Sequence, residues 1–340
     1  MPAGEPTADR HVQVEECVEE RIVLGTWGLS GPVEAADGPA GYPGRPSHCF
    51  DEVLDAAYRA GVRWVDTAPG YGAGSGLVRL AAWQRSRGAA FRVVMKPGRP
   101  HGPGGPRSDL RVGSLRREID AGAELVGPPA AVLVKDPPEE AFRDGVLAEV
   151  LGELASALPG TRVGVATHRL DLVPYLPEPA ELDARAGAQV QPHAASPVVQ
   201  MEHHAVNRTV AVPAAAHARR RGWEVWGMQP LAYGFLAGRY GPDTRFAADD
   251  WRSRLPRQAR SALAAGARGF AASLPSPFSS RPPAECALAW CLTDPSLQRI
   301  VVGPRTGAQF ASVLGAMSLA RDPRFTAHAA AARGAYGVPH

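Results

Sequence analysis

The chain has 340 residues, 45% of them hydrophobic and 21% charged, with a formal net charge of +3. That is ordinary globular composition, and the length suits one α/β barrel, because barrels of roughly 250 residues and more form single domains. The arginines are scattered among acids, and the longest basic run, Arg219-Arg220-Arg221, reads as the solvated end of a helix, which points to no sequence-specific nucleic-acid partner.

The first 20 residues, MPAGEPTADRHVQVEECVEE, are polar and acidic without an apolar run and read as a tail, not as a signal peptide. No stretch of about 18 apolar residues occurs, so no membrane helix is expected. Cys17, Cys49, Cys286 and Cys291 show neither C-x-x-C nor metal-ligand spacing, and Cys286 and Cys291 fall in an apolar stretch that reads as core. These features predict a soluble cytoplasmic protein with no membrane partner, whose oligomeric state stays open.

From residue 21 to 340, short β-rich runs alternate with longer helical patterns. Strands are predicted at Ile22–Thr26, Val62–Asp66, Arg92–Lys96, Ala131–Lys135, Arg162–Ala166, Val198–Met201, Trp223–Gly227 and Arg299–Val302. Their nearly continuous apolar character fits strands buried on both faces. Helical patterns lie between them at 47–61, 108–127, 141–158, 208–222 and 306–320, and a final helix pair is expected around Ala284–Leu292. The first helix has Ser47 as its expected N-cap and Gly61 just past its end. Eight alternating units predict an α/β fold, a single-domain (β/α)8 TIM barrel. An open doubly wound sheet is the rival, but no G-x-G-x-x-G opens the first helix. Two Gly- and Pro-rich stretches, Pro97–Ser108 and Tyr233–Leu255, follow the third and seventh strands and are candidate walls or lids of the catalytic face.

Polar residues at the C-terminal ends of successive barrel strands converge on one mouth. Asp66 closes the second strand in GVRWVDTAPGYGAGS, and Tyr71 follows in a Gly-rich turn. Lys96 ends the third strand in VVMKPG, and Lys135 ends the fourth in AVLVKDPPE. These are the only two lysines among 37 basic residues, and both fall on the expected catalytic rim. Glu202-His203-His204, with His168 and His193 elsewhere, makes a weak metal signal, because adjacent residues of a strand point to opposite faces; no metal site is expected. His168 follows the fifth strand, within reach of the same mouth.

Six segments in order resemble the aldo-keto reductases over about Ile22 to Leu319. They are LGTWGLSG, DTAPGYGAGS, VVMKPG, VVQMEHHAVN, GMQPLAYGFLAGRY and ALAWCLTDPSLQRIVVGPRT. The resemblance implies hydride transfer from a nicotinamide dinucleotide, usually NADPH, to an aldehyde or ketone, for example a sugar or secondary-metabolite carbonyl. Tyr71 would donate the proton, Lys96 would stabilise its anion, Asp66 would hold Lys96, and Lys135 would stand beside them. Cofactor contacts are implied from Thr26, Trp27, Ala166, Thr167, Gln200, Met228, Gln229, Pro230 and Leu231. Gly303, Arg305, Thr306 and Gln309 align with the segment that grips the adenosine 2′-phosphate.

The chain departs from the family at several of these positions. Lys135 stands where His is common, Ala166-Thr167 where Ser-Asn is usual, Met228 where an aromatic stacks on the nicotinamide, Gln229 where Ser is typical, and Gly76 where Glu is usual. These changes bear on nicotinamide binding more than on the fold. With two cations beside it, the phenol of Tyr71 is expected to titrate low, since nearby positive charge favours the phenolate. An alternative function uses the lysine pair for Schiff-base chemistry in a cofactor-independent lyase, epimerase or dehydratase. A third reading is a non-catalytic binding barrel, against which the joint presence of Asp66, Tyr71 and Lys96 argues.

Overall fold

In a computed structural model, which describes residues 18–35, 38–45, 47–100, 107–186 and 196–334, the chain closes into one barrel. Its strands are β1 (Ile22–Gly25), β4 (Trp64–Thr67), β5 (Arg92–Met95), β6 (Ala131–Lys135), β7 (Arg162–Thr167), β8 (Val198–Glu202), β9 (Glu224–Met228) and β10 (Arg299–Val302). The order around the wall is β1-β10-β9-β8-β7-β6-β5-β4, with every pairing parallel. All eight predicted strands are present, with ends shifted by at most two residues.

The outer layer comprises α1 (Ser47–Arg59), α2 (Ser75–Arg87), α3 (Val112–Val126), α4 (Glu139–Arg143), α5 (Val146–Ala157), α6 (Pro179–Ala186), α7 (Arg208–Arg220), α8 (Arg257–Ser273), α9 (Pro283–Leu292), α10 (Gly307–Ala320) and α11 (Pro323–Gly334). Ser47, the expected N-cap, is instead the first helical residue of α1. Gly61 follows that helix with φ +86°, a conformation that glycine adopts without a Cβ penalty. The helix expected across 141–158 is two helices, because Gly145 takes φ +77° and starts the second in a new direction. An antiparallel hairpin of β2 (Val33–Ala35) and β3 (Gly38–Ala40) was not expected; its strands have three residues each, too short for a periodic signal.

Two apolar clusters divide the interior. The larger lies between barrel and helices, while the smaller fills the lumen with Val23, Trp64, Val94, Leu133, Val198, Trp226 and Val301. Side chains alternate across a strand with period two. The residue two positions beyond each lumen residue therefore also points inward, nearer the C-terminal mouth: Asp66 beyond Trp64, Lys96 beyond Val94, Lys135 beyond Leu133, Gln200 beyond Val198 and Met228 beyond Trp226. That periodicity sets the position of the site.

The segment read as a tail ends at a short 3-10 turn, Val18–Arg21. Glu20 accepts from the Trp64 indole at 3.4 Å, and Arg21 donates to the carbonyls of Asp294 and Leu297, so this end of it packs under the barrel. Cys17 lies outside the described residues. Cys49, Cys286 and Cys291 are free and buried, and burial pushes the Cys286 thiol up to about 11, consistent with an inert core cysteine. Among the described residues no helix is long and apolar enough to cross a membrane.

Candidate active site

A cavity of about 690 Å³ opens at the C-terminal end of the barrel. Beneath it lie three buried polar side chains in a closed triangle. Lys96 Nζ stands 2.7 Å from Asp66 Oδ1 and donates to Gln200 Oε1 at 3.1 Å, while Gln200 Nε2 donates to Asp66 Oδ2 at 2.8 Å. The amide orientation is forced, since reversing it would set an NH2 group against an ammonium and an amide oxygen against a carboxylate. A buried ion pair is tolerable only when its remaining hydrogen-bonding positions are filled, and Gln200 fills one on each partner. Gln200 is fully buried at the cavity wall, and its amide bridges the two members of the ion pair.

Tyr71 stands above the triangle. Gly72, Ala73 and Gly74 follow it with φ of +56°, +53° and +91°, a left-handed run that turns the chain sharply after the phenol. Gly72 is obligatory here because a Cβ would come 2.0 Å from the Ser30 carbonyl oxygen. The same packing accounts for Gly76, where a Cβ would meet Ser30 Oγ at 2.4 Å and the family's glutamate would find no room. Lys96 Nζ lies 5.3 Å from the Tyr71 ring centroid, over the ring, and the hydroxyl makes no hydrogen bond to any described residue. The surroundings of Tyr71 run against the expected low titration. Burial pushes the phenol well above its ordinary value of about 10, the charge of Asp66 adds to the rise, and Lys135 only partly opposes it.

Lys135 reaches the cavity from the end of β6. Its ammonium donates to Asp136 Oδ2 at 2.8 Å and makes no other hydrogen bond among the described residues. Asp136, at φ +43°, also accepts from His168 Nδ1 at 2.8 Å, with Arg99 Nη1 3.7 Å away. Burial alone would raise the Asp136 carboxyl, but Lys135 and then His168 outweigh it and hold the group well below the usual carboxylate range. Gln229 Nε2 lies 3.0 Å from His168 Nε2, on the far side of the ring from Asp136. Each lysine thus has its own carboxylate.

The other residues singled out in the sequence divide into two groups. Trp27, Ala166, Met228, Gln229, Pro230, Leu231, Gly303, Arg305, Thr306 and Gln309 line the cavity. Thr26 and Thr167 do not; each follows an inward-facing residue and so points out of the lumen. Thr26 Oγ1 donates to the Asp66 carbonyl, and Thr167 Oγ1 accepts from the Arg169 N–H. Arg305 donates to the carbonyls of Gly28 (2.9 Å) and Pro43, and the Gln309 side chain accepts from the Arg305 N–H at 2.7 Å. Thr306 caps α10 through the Gln309 N–H.

Of the two stretches read as walls, the first contributes Arg99, with residues 101–106 outside the description. The second folds over the mouth through 3-10 turns at 232–237 and 251–254. There Arg252 is paired with Asp250 at 2.6 Å and stacked on Tyr42, Tyr240 and Phe246. Asp136, Arg99, Tyr42 and Arg252 were missed in the sequence. Asp136 had a visible signal, its place directly after Lys135; the others come from loops with no periodicity. The Glu202-His203-His204 run divides as strand alternation requires. His204 pairs with Glu202 at 3.0 Å, while His203 is buried against Trp290 and Asp294. Among the described residues no group of three side chains could hold a metal ion, and His193 lies outside them.

A dinucleotide fits this cavity unevenly. The N-terminus of α10 borders it and offers backbone N–H groups suited to a phosphate, and Met228 and Leu231 offer apolar faces. Where the resemblance implies a carboxamide contact, Ala166 brings only a methyl group, and the Gln200 amide already bridges Lys96 and Asp66.

No protein-family model matches the chain, and no curated protein is similar enough to match. Solved structures do. The glycerol dehydrogenase of Gluconobacter oxydans superposes with a TM-score of 0.68 at 19% identity, covering 94% of this chain and 93% of that one. The aldo-keto reductase of Bacillus halodurans, in its holo form, gives 0.62 at 16% identity, covering 92% and 91%. The chain therefore has the aldo-keto reductase fold over nearly its whole length.

Proposed function

We propose that the protein is an oxidoreductase of the aldo-keto reductase family that reduces an aldehyde or ketone with NADPH. The observation that carries this reading is Tyr71 held at the cavity floor, above a buried Asp66–Lys96 ion pair whose free positions Gln200 fills. When bound, the cofactor would supply a hydride to the carbonyl carbon. Tyr71 would give its hydroxyl proton to the carbonyl oxygen, and its raised pKa keeps that proton in place at any physiological pH. Lys96, fixed by Asp66 and Gln200, would stabilise the phenolate that remains. The pyrophosphate and adenosine would lie along the N-terminus of α10 at Gly303–Gln309, with Arg305 as the candidate ligand of a 2′-phosphate once it leaves the Gly28 and Pro43 carbonyls.

The test is titration of the purified protein with NADPH and NADH by fluorescence, followed by cofactor consumption with a panel of carbonyls. Saturable binding with NADPH preferred at least tenfold, about 1.4 kcal/mol, and turnover of one substrate or more is the expected result. Absence of binding at millimolar cofactor overturns it. In that case the Schiff-base reading takes its place, and borohydride with substrate should trap an adduct on a lysine. That reading ranks second because both amines are committed to carboxylates, Lys96 to Asp66 and Lys135 to Asp136, and a committed ammonium is not a free nucleophile.

A further inference from the structure

Lys135 and Asp136 are consecutive, and on a regular strand they would point to opposite faces. Here both line the cavity. Asp136 takes φ +43°, a left-handed conformation that few residues other than glycine accept and aspartate tolerates better than most. The turn brings its carboxylate back to the side of Lys135, and the Asp136 N–H donates to the Ala166 carbonyl at 2.7 Å, which ties the turn to β7. The carboxylate is then held from three elements. Oδ2 accepts from Lys135 Nζ at 2.8 Å, with Arg99 Nη1, from the loop after β5, 3.7 Å away. Oδ1 lies 2.8 Å from Nδ1 of His168, which follows β7, and the other ring nitrogen is 3.0 Å from Gln229 Nε2. Backbone strain accepted for one carboxylate at a cavity wall points to a task for that carboxylate.

We infer that Asp136 is a positioning residue that holds the Lys135 ammonium at the cavity wall, off the Tyr71 hydroxyl, and so keeps Tyr71 a proton donor. The inference rests on the reductase reading for the reaction but not for the titration of the phenol. Around Tyr71 stand Asp66 from β4, Lys96 from β5, and Lys135 and Asp136 from the end of β6. Lys96 is closed into its triangle with Asp66 and Gln200 and meets the ring face. Lys135 has one acceptor among the described residues, Asp136, and an ammonium on a four-carbon stem moves readily. Released from Asp136, it would turn to the Tyr71 oxygen, which faces the same cavity and has no partner among the described residues. Tyr233, from the turn after β9, is also near Asp136, but burial raises its phenol, so it offers Lys135 no competing anion. A cation in contact with the Tyr71 oxygen stabilises the phenolate. Reduction uses the phenol, which gives its proton to the carbonyl oxygen as hydride reaches the carbon. Oxidation of the alcohol uses the phenolate, which takes that proton back. By keeping Lys135 away, Asp136 extends the acid form of Tyr71 to alkaline pH.

The experiment is an ultraviolet titration of phenolate in which each protein is compared with its own Tyr71→Phe counterpart, so that Tyr71 alone is read and no turnover is needed. In the unmutated protein the Tyr71 phenolate should be absent up to about pH 11, whereas Asp136→Asn and Asp136→Gly should show it by then. Glycine accepts the left-handed turn without strain, so Asp136→Gly carries the test if Asp136→Asn does not fold. Asp136→Glu, which keeps a carboxylate for the ammonium, should restore the protonated phenol. Loss of the Asp136 charge also acts on the phenol directly, and Lys135→Met separates the two effects: combined with either Asp136 variant, it should abolish the phenolate again. With a carbonyl substrate, the alkaline loss of kcat should begin earlier in both Asp136 variants. Absence of phenolate from both variants at about pH 11, or phenolate that survives Lys135→Met, overturns the inference while leaving the reductase reading intact. Lys135-dependent phenolate in a protein that turns over no carbonyl overturns the reductase reading and leaves Asp136 as the residue that holds Lys135.

Discussion

The barrel buries charge at both ends, and the two ends behave differently. At the N-terminal end Arg299 lies over the rings of Trp64 and Trp226, at 4.7 and 5.2 Å, and Glu224 pairs with Arg162 and Arg299. The Trp226 indole donates to Glu224 at 3.1 Å, and the two tryptophans meet edge to face at 5.4 Å. The charged groups there pair with one another or lie over rings. At the C-terminal end the same inward alternation brings up Asp66, Lys96, Gln200 and Lys135, but the layer opens into about 690 Å³, and the Tyr71 hydroxyl and part of the Lys135 ammonium have no partner among the described residues. Buried ionic groups by themselves mark structure as readily as chemistry. A cavity bordered by the ion pair is what sets the candidate functional end apart.

Substitutions at the two ends should therefore separate activity from stability. The largest expected effect is at Tyr71. Tyr71→Phe removes the proton donor alone, so kcat should fall by about 10²–10⁴-fold with little change in the thermal midpoint. Retention of more than about a tenth of the rate would remove Tyr71 from its role. At the opposite end Trp226→Ala should cost about 3–5 kcal/mol of stability in denaturant unfolding, because it leaves a void in the lumen and frees Arg299 and Glu224 from a ring partner. Activity well below the melting transition should be altered far less than by Tyr71→Phe. A variant with normal stability and no activity would show the two ends to be coupled.

Gln200 offers a finer test, since it touches charge on both sides. Gln200→Leu leaves the Asp66–Lys96 pair with two unmet positions and should lower stability by about 1.5–3 kcal/mol. It should also reduce kcat while leaving NADPH affinity within about twofold of the unmutated protein. A selective loss of cofactor affinity would instead return Gln200 to the nicotinamide. The smallest effect is spectroscopic. Because burial and Asp66 raise the Tyr71 pKa, the phenol stays protonated while ordinary tyrosines ionise, so phenolate absorbance in the unmutated protein and in Tyr71→Phe should coincide up to about pH 10. The linkage has a definite sign. A folded pKa above the unfolded value contributes stability below pH 10 that is lost as pH rises, so the advantage of the unmutated protein in alkaline unfolding should shrink relative to Tyr71→Phe. A difference spectrum appearing below pH 9 would show that a cation governs the phenol after all.

The sequence by itself determined the barrel and the rim on which the candidate site lies. Strand alternation, eight apolar runs and two isolated lysines placed Asp66, Lys96 and Lys135 on one rim, because period-two geometry depends only on the local chain and its register. The same rule, applied one residue further along, shows why Thr26 and Thr167 fall outside the cavity. Partnership was decided by the tertiary structure. Gln200 meets Lys96 across 104 residues, and Arg305 meets Gly28 across 277. Hydrogen bonds over such separations leave no periodic trace in the chain. The titration of Tyr71 was likewise beyond the sequence: two lysines nearby favour the phenolate, but burial and the Asp66 charge outweigh them, and both depend on how the Gly72–Gly74 turn sets the ring into the cavity floor.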